Sequence, residues 1–287
     1  MTLAAPMRCS TLAEELGEPM IGTVEQRVRW LLVEDRSAWG TDAVGDVLGA
    51  ELAGGFKAAG IRALLVRRRE GDPVADAVRR LILVDTAARG MATRTVTSLA
   101  ELDPARLAAV PLDEFGTPLD EPMFLVCSNG KRDACCAVRG RLLLSALAER
   151  HAERVWECTH LGGHRFAANL VCLPDGLVYG RVAAEDGPRL VDAYLAGRVD
   201  AAALRGRSSW PASAQVAERH VRMLAGLDGL TDVELVAAAV TGDRAEVTLR
   251  AAGSRHHVVL RGARAAEPRP TSCRADELDS PLHWEVG

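Results

Sequence analysis

One order of apolar segments occurs twice along this 287-residue chain, and that repetition narrows its possible folds more than any other feature. In the first pass, residues 29–33 read as a buried strand. Residues 44–59 read as a helix with Val44, Val47, Leu48, Leu52 and Phe56 on one side. Residues 61–66, 81–86 and 91–97 then read as strands, and residues 99–107 as a short helix. In the second pass, residues 123–126 are a strand and residues 138–150 a helix with Leu142, Leu143, Leu144 and Leu147 on its apolar side. A strand at 155–158 follows, then a hairpin of 169–173 and 177–182 around Pro174-Asp175-Gly176, and a closing helix at 190–197.

Both passes give strand, helix, three strands, helix. That order predicts an α/β protein (α+β mixed sheet) built from tandem thioredoxin-like units. The expected division is an N-terminal unit over residues 1–110, a second unit over 119–204 and a small C-terminal α+β appendage over 205–287, with the Pro- and Asp-rich run 110–122 as linker. The length suits about two domains. In the appendage, 212–227 read as a helix and 233–240, 245–250 and 256–260 as short strands with Gly-containing turns. The tail from residue 265 is polar and shows no clear pattern.

Composition removes several functional classes. The net charge is −4, and Lys57 and Lys131 are the only lysines, so no basic balance points to nucleic acid. No apolar run reaches the roughly 18 residues of a membrane span. Residues 1–15 lack the charged start and apolar stretch of a secretion signal. A cytoplasmic protein that binds neither membrane nor nucleic acid is therefore expected. Its seven cysteines then read as buried thiols, metal ligands or redox groups rather than a disulfide framework.

The chemistry-bearing residues crowd into 127–164. Cys127 ends a strand, and Cys136 lies at the start of the next helix. His160 and His164 follow in Thr-His-Leu-Gly-Gly-His-Arg-Phe, just after the strand ending at Cys158. Two parallel strands joined by a right-handed crossover release their following loops at one sheet edge, so the two loops should meet. Gly162 and Gly163 disfavour a helix between the histidines and permit a tight loop close to a bulky group. Leu161 and Phe166 are placed to exclude water. The helix start near Cys136 favours a thiolate. Two thiolates and two imidazoles suit zinc or an iron–sulfur cluster, and spacing alone does not separate them. Taken singly, Cys136, Cys158 and Cys172 read as buried small apolar side chains.

These residues resemble the sucrase/ferredoxin-like family. The resemblance lies in Cys127-Ser-Asn-Gly-Lys-Arg-Asp-Ala-Cys-Cys136, in Trp156-Glu-Cys-Thr-His-Leu-Gly-Gly-His-Arg-Phe-Ala and in the hairpin Leu173 to Val182. Cys9-Ser10, Gly22-Thr23, the run Trp30 to Glu34 and Trp39-Gly40 agree with it too. It implies a thioredoxin-like ferredoxin whose usual second cysteine pair is replaced by histidines, as in fungal relatives. Carried over by position, the ligands of a [2Fe–2S] cluster are Cys127, Cys136, His160 and His164. Cys135 adjoins Cys136 and is the alternative second thiolate; the family spacing favours Cys136. Cys9 and Cys273 fall where the family tends to have cysteine, with structural roles expected. Arg132, Arg165, Gly162 and Gly163 would support or tune the site, although solvated surface roles are the simpler reading of the two arginines. The "sucrase" in the family name implies nothing, since no carboxylate pair is placed as in a glycosidase.

The resemblance implies a one-electron carrier or a cluster-based redox sensor, working with a reductase or acceptor protein rather than as an enzyme; the free N–H of each ligand imidazole would couple electron uptake to proton uptake. A zinc-binding structural or interaction module is one alternative. A thiol-disulfide oxidoreductase is another, although Cys135-Cys136 lacks the usual Cys-x-x-Cys spacing. In the first unit Glu34 and Ala43 fall where Cys127 and Cys136 fall in the second, so that unit is expected to be a scaffold.

Overall fold

The first apolar segments form the elements expected of them, with one break. The computed structural model describes residues 8–68 and 78–287, so the opening part of the run read for a secretion signal, residues 1–7, lies outside the described residues. After a short helix α1 (Cys9–Glu15), strand β1 (Arg29–Glu34) is buried from Trp30 onward. The helix expected over 44–59 divides into α2 (Ala43–Leu48) and α3 (Ala50–Ala58). Gly49 between them has φ +84°, a left-handed backbone that cannot continue a helix. Strands β2 (Arg62–Arg67), β3 (Arg79–Asp85) and β4 (Gly90–Val96) follow.

A capped 3-10 turn (Leu99–Glu101) leads to α4 (Pro104–Ala109), which starts on an Asp103 cap with proline at its first position. The run read as a linker is structured: it contains α5 (Leu112–Phe115) and β5 (Thr117–Pro118), and β5 pairs with β4. The buried Phe115 draws it onto the core of the first half.

The second pass gives β6 (Met123–Cys127), α6 (Ala134–His151), β7 (Val155–Cys158), a 3-10 turn (His164–Phe166), β8 (Leu170–Leu173), β9 (Leu177–Tyr179) and α7 (Gly187–Leu195). In α6 the buried stripe is Cys136, Gly140, Leu143, Leu144, Leu147 and His151. Leu142, expected on that stripe, is 62% exposed beside Val138 on the opposite face. Helical spacing decides this, because 138 and 142 fall one turn apart and away from 140, 143, 144 and 147.

The fold is a mixed α/β arrangement of one large mixed sheet and one small antiparallel sheet, as the segment order requires. Among the described residues the large sheet has ten strands in the order β10-β9-β8-β6-β7-β2-β1-β3-β4-β5, with β10 (Leu204–Arg207) at one edge. Each half repeats one arrangement. β1 pairs parallel with β2 and antiparallel with β3; β6 pairs parallel with β7 and antiparallel with β8. The halves are fused edge to edge by antiparallel pairing of β2 and β7, with Val66 opposite Cys158. One core accordingly draws on strands of both halves and includes Trp30, Leu64, Leu125, Cys127, Cys136 and Trp156.

Helix α8 (Ala212–Ala225) packs on β10 and on the second sheet, which is β11 (Val233–Thr241), β12 (Arg244–Ala251), β13 (Ser254–Arg264) and β14 (Leu282–Val286) in that order. The last of these strands comes from the tail that shows no pattern in sequence. Among the described residues no helix is long and apolar enough to cross a membrane.

Candidate metal centre

The site is built where β6 and β7 end. The two strands are parallel neighbours joined through α6, with Cys127 opposite Cys158. Their following loops therefore leave the sheet at one edge, as the segment order requires. Asp133 caps α6, its carboxylate accepting the Cys135 amide at 2.9 Å, so the helix begins in register to place Cys136 one turn in. Gly140 lets the helix lie against the Cys127 carbonyl, where any Cβ would collide.

The four residues singled out in the sequence come together. Cys136 Sγ lies 3.4 Å from His164 Nδ1. The His160 and His164 rings stack, their centroids 4.1 Å apart and their planes at 17°. Cys127 interacts with the Cys136 sulfur and the His160 ring. Cys127, Cys136 and His164 are buried and His160 is half-buried. Leu161 and Phe166 are buried, as their expected role in excluding water requires.

The electrostatics prepare Cys127 and His164 to ligate, while Cys136 keeps its proton until a metal displaces it. Contact with Cys136, together with the His160 ring and the Leu161 amide, holds the Cys127 thiol well below its ordinary value against the opposing effect of burial. Cys136, the other member of the pair, is pushed up by its contact with Cys127 and by burial. Burial, and then the neighbouring His160, bring His164 down to about 3, so its imidazole is neutral and able to ligate.

Gly162 and Gly163 both have positive φ, +79° and +69°, which accounts for the two glycines between the histidines. Several side chains that sequence reasoning did not single out hold this loop. Arg62 on β2 donates to the His160 carbonyl at 3.1 Å, and Thr159 exchanges hydrogen bonds with the backbone of Leu65. The first half of the chain thus braces the histidine loop. Arg205 on β10 is fully buried and donates to Asn169 Oδ1 at 2.7 Å, the Thr23 carbonyl at 3.0 Å and the Gly162 carbonyl at 3.4 Å. An arginine beside an apolar strand is the one signal the sequence offers for either. Asp133 had a better signal, an acidic residue directly before a helix start.

Arg165 is not a solvated surface arginine: it pairs with the buried Glu18 at 2.8 Å and lies over the Phe166 ring, and its charge is felt at His164. Arg132 is exposed, and its charge is felt at His164. Cys135 is absent from this constellation. Its sulfur lies 3.5 Å from Cys9 Sγ and 3.2 Å from Cys273 Sγ. Two groups of described residues have donor atoms close enough to share one ion: Cys9, Asp133, Cys135 and Cys273, and Asp133, Cys136 and His164.

A mixed α/β protein with a largely buried cysteine–histidine cluster where two parallel strands end is the class that this fold and site define. The sucrase/ferredoxin-like family model matches residues 20–206, which takes in both halves of the large sheet, and the chain belongs to that family. Among curated proteins it is similar to altered inheritance of mitochondria protein 32 of Meyerozyma guilliermondii, 33% identical over 27% of this chain and 31% of the relative. It is also similar to the protein of that name from Eremothecium gossypii, 32% identical over 38% of this chain and 40% of the relative. The matches thus span about a third of the length of those relatives. No solved structure matches the chain.

Proposed function

We propose that Cys127, Cys136, His160 and His164 hold a [2Fe–2S] cluster and that the protein is a one-electron carrier or redox sensor serving a partner protein. The observation that carries this reading is the meeting of two buried thiols and two imidazoles, with Cys136 Sγ 3.4 Å from His164 Nδ1 and the histidine rings stacked at 4.1 Å. The donor set fits the group: soft sulfur and imidazole nitrogen are the ligands iron–sulfur clusters take.

When bound, such a cluster supplies a one-electron couple with no substrate bond to break. The residues of the chain set its character. Cys127 and Cys136 bring two negative charges as thiolates, while His160 and His164 bring none when neutral. A less negative ligand set makes an added electron less costly in a buried site. Leu161 and Phe166 keep water out, and the Arg62 and Arg205 guanidiniums fix the backbone carrying the histidines. The half-buried His160 marks the side from which a partner would approach.

Purification without air, followed by iron and sulfide counting and by absorption and EPR spectroscopy, tests the reading. Reddish protein with about two irons per chain is expected. Colourless protein with one zinc bound by Cys127, Cys136 and the histidines would replace it with the zinc-module alternative.

A further inference from the structure

We infer that Cys9, Cys135 and Cys273 form a second metal site, adjoining the cysteine–histidine cluster through Asp133, that binds one zinc-class d10 cation through three thiolates. The three sulfurs make a closed triangle with edges of 3.5, 3.2 and 3.5 Å. They come from three distant parts of the chain: α1, the start of α6 and the C-terminal tail. Convergence of three of the seven cysteines on one point does not follow from burying thiols as small apolar groups, because each of those could pack anywhere in the core.

The surroundings are built for a cation. Asp133 lies within 4.8 Å of all three sulfurs, and its two carboxylate oxygens accept the Cys135 and Cys273 amides at 2.9 Å each. It therefore locks the tail and the helix start into one geometry and stands as an oxygen donor for a fourth position. The Ser10 hydroxyl is fully buried, has no other hydrogen-bond partner and faces the Cys135 sulfur. The N-terminus of the 18-residue α6 adds positive potential where the thiolates gather. Cys9 and Cys135 are buried while Cys273 is exposed, which leaves an entry side.

Three thiolates with one oxygen match a tetrahedral zinc site, with zinc–sulfur bonds of about 2.3 Å and sulfur–sulfur edges of roughly 3.7 Å. Seating the ion requires the triangle to open by only a few tenths of an ångström. A disulfide uses two sulfurs and strands the third, so it does not account for three near-equal edges. Binding couples α1 and the tail to the helix that carries Cys136, and each thiol releases its proton to solvent as it ligates.

The test uses the full chain, purified without air and exposed to Zn²⁺ as the probe. Zinc, iron and sulfide are counted, and zinc-edge X-ray absorption is recorded. The expected result is one zinc per chain in addition to any iron, with about three sulfur neighbours near 2.3 Å. Cys273→Ser, at an exposed position, should lose the zinc and keep the iron, and Cys9→Ser should do the same. Cys127→Ser should keep the zinc and lose the iron, so failure of this site and failure of the iron reading are distinguishable. Absence of zinc from the wild-type protein, a spectrum with two sulfurs and two nitrogens, or a Cys9–Cys273 disulfide found by peptide mapping after quenching with an alkylating agent would each overturn the proposal. The wild-type spectrum decides the matter even if Cys9→Ser does not fold.

Discussion

Cys135 and Cys136 are consecutive in the chain, yet their sulfurs belong to different clusters. Cys136 Sγ lies 3.4 Å from His164 Nδ1, whereas Cys135 Sγ lies 3.2 Å from Cys273 Sγ. Neighbouring residues on a helix point about 100° apart. One turn of α6 therefore serves two sites, and the Asp133 cap fixes which thiol faces which.

The first prediction follows from this division. Cys136→Ser should abolish iron and sulfide incorporation, whereas Cys135→Ser should keep both. Metal and sulfide analysis of the two variants purified side by side checks it. Equal loss of iron in both would contradict the assignment of the thiols.

Ligand charge sets the second. His164→Cys adds a thiolate to the set and should move the midpoint potential down towards the about −400 mV of all-thiolate plant-type ferredoxins, with the wild type well above that. EPR-monitored redox titration reads the shift. A variant that carries iron at an unchanged potential would show that His164 is not a ligand.

Gly163 and Gly162 separate backbone strain from collision. Both have positive φ, but a Cβ on Gly163 would strike the buried Arg205 guanidinium, whereas on Gly162 it meets only Arg62 at 3.8 Å. Gly162→Ala should cost about 1 kcal/mol from the backbone conformation alone. Gly163→Ala should cost more, by roughly 1–3 kcal/mol, and lower iron retention, because Arg205 must give up hydrogen bonds to Asn169 and Thr23. Urea melts and iron content compare the two.

Acid stability is the fourth. Glu218 is fully buried; burial alone would raise its carboxyl, but Arg207 and Arg222 outweigh this and hold it below the ordinary range. A depressed carboxylate stabilises the fold at neutral pH, and this contribution is lost as pH falls through the folded value. Glu218→Gln should destabilise by about 3–5 kcal/mol at neutral pH, since it takes the ion pair from the buried Arg222 and leaves Arg207 only Asp175, 3.8 Å away. The gap to wild type should narrow in acid, as urea melts across pH will reveal. A gap that does not change with pH would refute the linkage.

Much of the fold is legible in the apolar pattern. The segments at 29–33, 123–126 and 155–158 fall within β1, β6 and β7, because buried strands leave continuous apolar runs. The parallel crossover they imply was enough to bring Cys127 near His160. The breaks were less legible. Gly49 divides a helix that periodicity reads as one, and Phe115 pulls a Pro-rich run into the fold, since a single residue decides each against the local pattern.

By itself the sequence determined the succession of strands and helices along each half, the loops that carry Cys127, Cys136, His160 and His164, and the glycines that let the histidine loop turn. These are local matters of apolar period, turn chemistry and chain direction. Only the tertiary structure decided that β2 and β7 fuse the halves into one sheet, that Arg62 and Arg205 grip the histidine loop, and that Cys9, Cys135 and Cys273 converge. Such contacts span up to 264 positions in the chain, and no local periodicity records which distant surfaces will bury one another.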